Sequence, residues 1–173
     1  MPVSYVNLSG TRELPDVTMR ALVEDNWTAA NITGTITPVF QSATEEPDFL
    51  AEDDLSDDNL ITFTWVGDER VDDPDNNEPN GDSIHHFRHI VRVDIWAEDM
   101  VRLRDFMDEV NNIIWSNSPN SATRLNKSDA SASETDYFTN AGVDFDRIEP
   151  ETDVDFKPSV SGIIELHYRK NKT

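Results

Sequence analysis

Residues 83–117 read SIHHFRHIVRVDIWAEDMVRLRDFMDEVNNIIWSN, and a change of period inside this stretch decides the fold. In its first half His85, Phe87, His89, Val91, Val93 and Ile95 alternate with His86, Arg88, Ile90, Arg92, Asp94 and Trp96, which predicts a strand with one mainly apolar side. From Glu98 onward Leu103, Phe106, Met107, Val110, Ile113 and Ile114 recur at spacings of three and four, so they form one stripe on a helix. A long strand therefore runs directly into a long amphipathic helix. On the polar side of that helix Arg104 and Asp108 read as an attractive pair and Asp105 and Glu109 as a repulsive one, each worth roughly 0.2–0.5 kcal/mol.

Outward from this unit, a helix is predicted over Pro15–Asn26, because proline suits a first turn and Met19, Leu22, Val23 and Trp27 share a side with Asn26. Asn31–Gln41 reads as a strand with Ile32, Ile36 and Phe40 on one face, and Pro38 places it at a sheet edge or strand end. Leu60–Val66 reads as a second strand with Ile61, Phe63 and Trp65 together. Residues 67–82, rich in Asp, Asn, Pro and Gly, read as an excursion joining it to the third strand in a long hairpin. Residues 42–59 and 150–158 are acidic connections, 1–10 an extended arm, and 116–140 a long polar loop or arm. Weak alternation over Gly142–Glu149 and strong alternation over Val160–Arg169 supply further strands, ahead of a basic tail over 170–173. The expected fold is one α+β domain over 1–173, a mostly antiparallel sheet with two main helices packed on one face.

The charge is extreme, with 35 acidic against 14 basic residues and a net charge of −21; ten of the cations are Arg and four are Lys. Disorder, cation or basic-partner binding, and adaptation to molar salt each fit such a balance. The amphipathic segments and four Trp argue against general disorder. Salt adaptation is favoured, because the acids spread over every loop and both helices while Lys is scarce. At ~1 M salt the screening length falls to about 3 Å, so neighbouring carboxylates hardly repel, and a large net charge keeps the chain soluble. A strongly negative surface disfavours general nucleic-acid binding. The chain has no Cys, which excludes disulfides, thiolate metal sites and Cys nucleophiles. No apolar run approaches the ~18 residues of a membrane span. MPVSYVNLSG lacks the basic start and apolar stretch of a signal peptide, so synthesis in the cytoplasm is expected.

Candidate chemistry is thin. His85 and His89 share a strand face but lie about 13 Å apart, too far for one zinc, so surface or interface histidines near a hairpin mouth are expected. Asp73 begins a calcium-like loop that fails, since the required glycine and terminal glutamate positions hold Glu78 and Ile84. No phosphate cradle, nucleophile elbow or Ser–His–Asp order is present, and neither catalysis nor a cofactor is expected. Arg88 and Arg92 are the notable pair, two cations on one strand face followed by Asp94 and Trp96. Cross-strand pairing with carboxylates accounts for them; a surface meeting an acidic subunit, or a channel for DNA, is the functional alternative.

The layout as a whole resembles the tail terminator and tail completion proteins of long-tailed, lambda-like phages and their archaeal-virus relatives. The residues carrying this are Val91, Val93, Ile95 and Trp96 in the strand, Val110, Ile113 and Ile114 at the helix end, and GIIELHYR after the acidic turn Glu151–Asp155. The hairpin excursion and the 116–140 loop are longer than the family minimum, and the acidity suits a virus of a halophilic host. The resemblance implies a non-catalytic structural virion protein in a hexameric ring that ends the tail tube and joins it to the neck. Its partners would be further copies, the tail tube protein and neck or head–tail connector proteins, with DNA passing through unbound and no membrane. It would be made in the host cytoplasm and reside in the virion. Interface or lumen candidates are Arg88, Arg92 and Trp96, with Tyr137 and Phe138 near the end of the long loop. A head–tail adaptor and a soluble ligand-binding domain of a halophile are the alternatives.

Overall fold

A computed structural model describes residues 15–45, 59–71, 84–116, 139–146 and 157–171. Its elements are α1 (Pro15–Asn26), a 3-10 turn (Ala29–Asn31), β1 (Val39–Ser42), β2 (Leu60–Val71), β3 (Ile84–Trp96), α2 (Met100–Ser116), β4 (Thr139–Phe145) and β5 (Ser159–Asn171). The strands form one sheet in the order β1-β2-β3-β5-β4. β1 pairs with β2 in parallel and every other pair is antiparallel. This is the expected α+β arrangement, a mostly antiparallel sheet with two helices against it. The arm over 1–10, the tips of both acidic connections, the hairpin excursion beyond Val71, and the loop with Tyr137 and Phe138 lie outside the described residues.

The two periods read in the central stretch become two layers. Val91, Val93 and Ile95 of β3 are fully buried, and so are Leu103, Phe106, Val110 and Ile114 of α2. They join Met19, Leu22 and Val23 of α1, Ile61 and Phe63 of β2, and Val160, Ile164 and Leu166 of β5 in one apolar cluster. Burying each such side chain stabilises the fold by about 1.5–3 kcal/mol. Trp27 closes one flank, edge-on to Phe40 at 5.3 Å and to Phe106 at 5.6 Å. Gly162 sits where Phe145 and Val143 of the neighbouring strand cross it: a Cβ there would lie 2.6 Å from Phe145 Cδ1 and 2.9 Å from Val143 Cγ1.

Helix α2 starts sharply. Asp99 Oδ1 accepts hydrogen bonds from the backbone N–H groups of Val101 (2.8 Å) and Arg102 (2.9 Å), meeting two of the donors that a first turn leaves free. Its acidic side has a different role from the repulsion expected of Asp105 and Glu109. Asp105 Oδ2 accepts from Thr33 N at 2.8 Å, and Glu109 accepts from Thr28 N at 3.2 Å and Asn31 Nδ2 at 2.8 Å. Both carboxylates thus anchor the connection that follows α1. Thr33's hydrogen bonds, from side chain and backbone, hold the Asp105 carboxyl below its ordinary value. Arg104 and Asp108 stand exposed.

Three strand boundaries differ from the sequence reading. The strand expected over Asn31–Gln41 is only Val39–Ser42. Upstream of it Gly34 (φ 83°) and Thr35 (φ 55°) take left-handed conformations, and Thr35 N donates to Ile32 O at 2.8 Å. A turn therefore buries Ile32 where alternation suggested a strand, and β1 begins directly after Pro38 as a short edge. β2 continues past Val66 through a bulge between Trp65 and Gly67. Beyond the core a ribbon needs no apolar alternation, so GDERV gave no strand signal. β4 lies earlier than expected and contains a bulge between Asn140 and Val143, where Gly142 takes φ 101°.

Strand and helix lengths set the shape. At ~3.3 Å per residue the 13 residues of β3 span about 43 Å, whereas at ~1.5 Å per residue the 17 of α2 span about 25 Å. Helix α2 alone is therefore shorter than the strand it follows.

Candidate interaction surface

The sheet face opposite the helices carries the residues singled out from sequence. Register places Gln41, Thr62, Asp94 and Ser161 in one row across four strands. One neighbouring row holds Val39, Leu60, Trp96 and Ser159, and the other Thr64, Arg92, Ile163 and Asp144. No described helix contributes to this face. Its apolar residues include Val39 and Val66, 40% and 57% exposed, with Ile90, Trp96 and Ile163 half-buried.

Arg88 and Arg92 are both paired, by different means. Arg88 bridges the strands on either side of β3. Its Nε donates to Glu69 Oε2 of β2 at 2.8 Å and its Nη1 to Glu165 Oε1 of β5 at 3.0 Å. The Glu69 hydrogen bond, more than any other contact, holds the guanidinium above its ordinary value despite some desolvation. Arg92 turns to its own strand, with Nε donating to Asp94 Oδ2 at 2.8 Å. Asp94, almost fully buried, also accepts from the Ser161 hydroxyl. The Arg92 side chain remains 44% exposed. Cross-strand pairing, the plain explanation of these arginines, describes Arg88 but not Arg92.

The polar row is under-satisfied. Gln41 Oε1, Thr62 Oγ1 and Thr64 Oγ1 are buried without a hydrogen-bond partner. Such a group costs about 1–3 kcal/mol. Nothing in the sequence pattern marked these three, because a polar residue alternating with apolar ones reads as solvated.

His89 corrects the expectation of surface histidines. It is buried on the helix side of β3, its ring nitrogen Nδ1 paired with Asp68 Oδ1. Trp65 stands edge-on to it at 5.6 Å and donates from Nε1 to Asp68 Oδ1 (3.0 Å) and Gly67 O (3.2 Å). Trp65, Asp68 and His89 together lock the β2 bulge, a structural role. His85 and His86 lie on β3, and His167 on β5 opposite Arg88. Among the described residues no group of three or more His, Asp or Glu could hold a metal ion, and no helix is long and apolar enough to cross a membrane.

Trp115 was absent from the sequence candidates. It is 63% exposed at the end of α2, beside Gly142 of the edge strand β4. Helical spacing already leaves this tryptophan off the buried stripe, but its place beside β4 shows only in the structure. The chain matches no family model, and no curated protein is similar to it.

Proposed function

We propose that this chain is a structural virion protein whose copies assemble into a ring ending the tail tube and joining it to the neck, in a tailed virus of a halophilic host. One observation carries the reading: a sheet face, to which no described helix contributes, that combines the half-buried Trp96, Ile90 and Ile163 with the part-exposed Arg92. Apolar, arginine and hydrogen-bonding groups interleaved in this way are the composition of an interface. The strand and helix that carry the resemblance to tail terminators, β3 and α2, also pack together as the centre of the fold. The edge strands β1 and β4 and the exposed Trp115 add surfaces for neighbours in a closed, head-to-tail arrangement. The chain's role is to bind protein surfaces, with no chemical step.

The test is the mass of the full-length protein in molar salt, alone and with tail tube protein. A closed ring, or ring formation on adding the tube protein, is expected. A strict monomer at high concentration in both cases would overturn the proposal. Asp94→Ala, which removes the acceptor of both Arg92 and Ser161, is expected to impair assembly more than it lowers stability.

A further inference from the structure

Four large hydrophobic side chains are exposed among the described residues, and the two most exposed, Trp115 at 63% and Val101 at 58%, stand at the two ends of α2. Between them Arg104, Asp108, Asn111 and Asn112 are exposed as well. At a helical period these positions share one stripe, on the side of α2 away from the buried Leu103, Phe106, Val110 and Ile114. The stripe runs about 21 Å at ~1.5 Å per residue. Arg104 and Asp108 are one turn apart, yet among the described residues neither has an ion-pair partner. In a chain with 35 acidic residues, the stripe holds one acid and one cation and is neutral. Trp115 is also held in place. Its ring lies beside Gly142 at the β4 bulge, and one turn earlier Asn111 Oδ1 accepts from Val143 N at 3.3 Å.

We infer that this stripe is a two-fold docking surface for the same stripe of a second copy of the chain. Its order is apolar, cation, acid, apolar, which is complementary to itself when reversed, the property an isologous contact requires. Two antiparallel α2 helices with Trp115 of each copy opposite Val101 of the other place the midpoint, Asp108, on the two-fold axis. Arg104 of each copy then lies one turn from Asp108 of the other, within reach of its long side chain. Two arginines thus flank the two carboxylates, and ~1 M salt weakens the repulsion that remains between those carboxylates. Trp115, packed against an aliphatic side chain, is the anchor, and the charges set the register. The contact does not depend on a ring. Where rings form, Trp115 cannot meet a ring neighbour and this partner at once, so the pair belongs to the unassembled chain.

The chain has no Cys, so a single introduced thiol reports on symmetry: it links two copies efficiently only where a residue meets itself. Full-length Asp108→Cys protein in molar KCl, under mild copper–phenanthroline oxidation, is expected to become a disulfide-linked dimer. Ala30→Cys, exposed on the turn after α1, should stay single under the same oxidation. Without tube protein, wild type should sediment as a reversible dimer. Trp115→Ala should associate at least about tenfold more weakly, the loss expected of an aromatic anchor. If circular dichroism shows that Trp115→Ala disturbs the fold, Val101→Asp makes the same test at the other end of the stripe. Equal linking of the two thiol variants, or wild type that sediments as a monomer, would overturn the inference. Rings that carry no link at position 108 after oxidation remove this contact and leave the ring reading intact. A dimer that links at position 108 and, while reduced, forms no ring with tube protein does the reverse.

Discussion

Replacing Glu109 with alanine separates two opposite accounts of the acidic side of α2. As one of two like charges a turn apart, Glu109 would repel Asp105, and its removal would stabilise the protein by roughly 0.2–0.5 kcal/mol. The structure assigns it a different role. Glu109 is 5% exposed and accepts from Thr28 N at 3.2 Å and from Asn31 Nδ2 at 2.8 Å. A hydrogen bond to a charged acceptor contributes about 1.5–3 kcal/mol. The long Thr28 contact belongs at the low end of that range. Removing both acceptors, less the small relief of repulsion, should cost about 2–4 kcal/mol, a large part of the ~5–15 kcal/mol that holds a domain together. Glu109→Gln keeps one oxygen acceptor and should cost about 1 kcal/mol, because the Asn31 amide can turn its oxygen toward the new NH2 group. Urea unfolding of the full-length chain in molar salt measures this, read from midpoints at unchanged slope. High salt mutes the repulsion and leaves the hydrogen bonds, so the loss should persist there. A Glu109→Ala protein as stable as wild type, or more so, would refute the anchoring role.

Three further outcomes follow from the packing and the charge. Gly162→Ala should destabilise by about 1–3 kcal/mol in the same assay, because its new Cβ must displace the Phe145 ring and the Val143 methyl on β4; an unchanged midpoint would mean that β4 moves aside freely. Asp105 has a folded-state value below its ordinary ~3.9, so its contribution is present above that pH and lost as pH falls through the lowered value. Wild type should therefore lose more stability than Asp105→Asn on acidification below about pH 4, and parallel acid curves would contradict this. Desalting should lower the melting temperature, as carboxylates repel across a chain of net charge −21; full stability without salt would remove the salt-adaptation reading.

What the sequence made legible was whatever repeats locally. Val91, Val93 and Ile95 at every second position, and Leu103, Phe106 and Val110 at every third or fourth, announce one strand and one helix without reference to the rest of the chain, and both are buried as read. Features that depend on distant partners were hidden. Asp105 and Glu109 meet residues 72 to 81 positions earlier, so local spacing showed only their mutual repulsion. The strand suggested by Ile32, Ile36 and Phe40 failed because Gly34 and Thr35 turn the chain between them. The polar half of β2 gave no signal because ladder pairing with β3, and not burial, defines it. Among the site residues, Arg88 and Arg92 stood out by the scarcity of cations. The unmet atoms of Gln41, Thr62 and Thr64 became visible only once β1, β2 and β3 lay side by side.

The proposed function stands or falls on whether copies of this chain close into a ring. Light scattering of the full-length protein in molar salt, with and without tail tube protein, addresses it most directly. A discrete closed species, a hexamer of the 19.6 kDa chain, is expected, formed alone or on addition of the tube protein. A mass that stays at one chain under both conditions, at concentrations high enough for any ring to form, would contradict it.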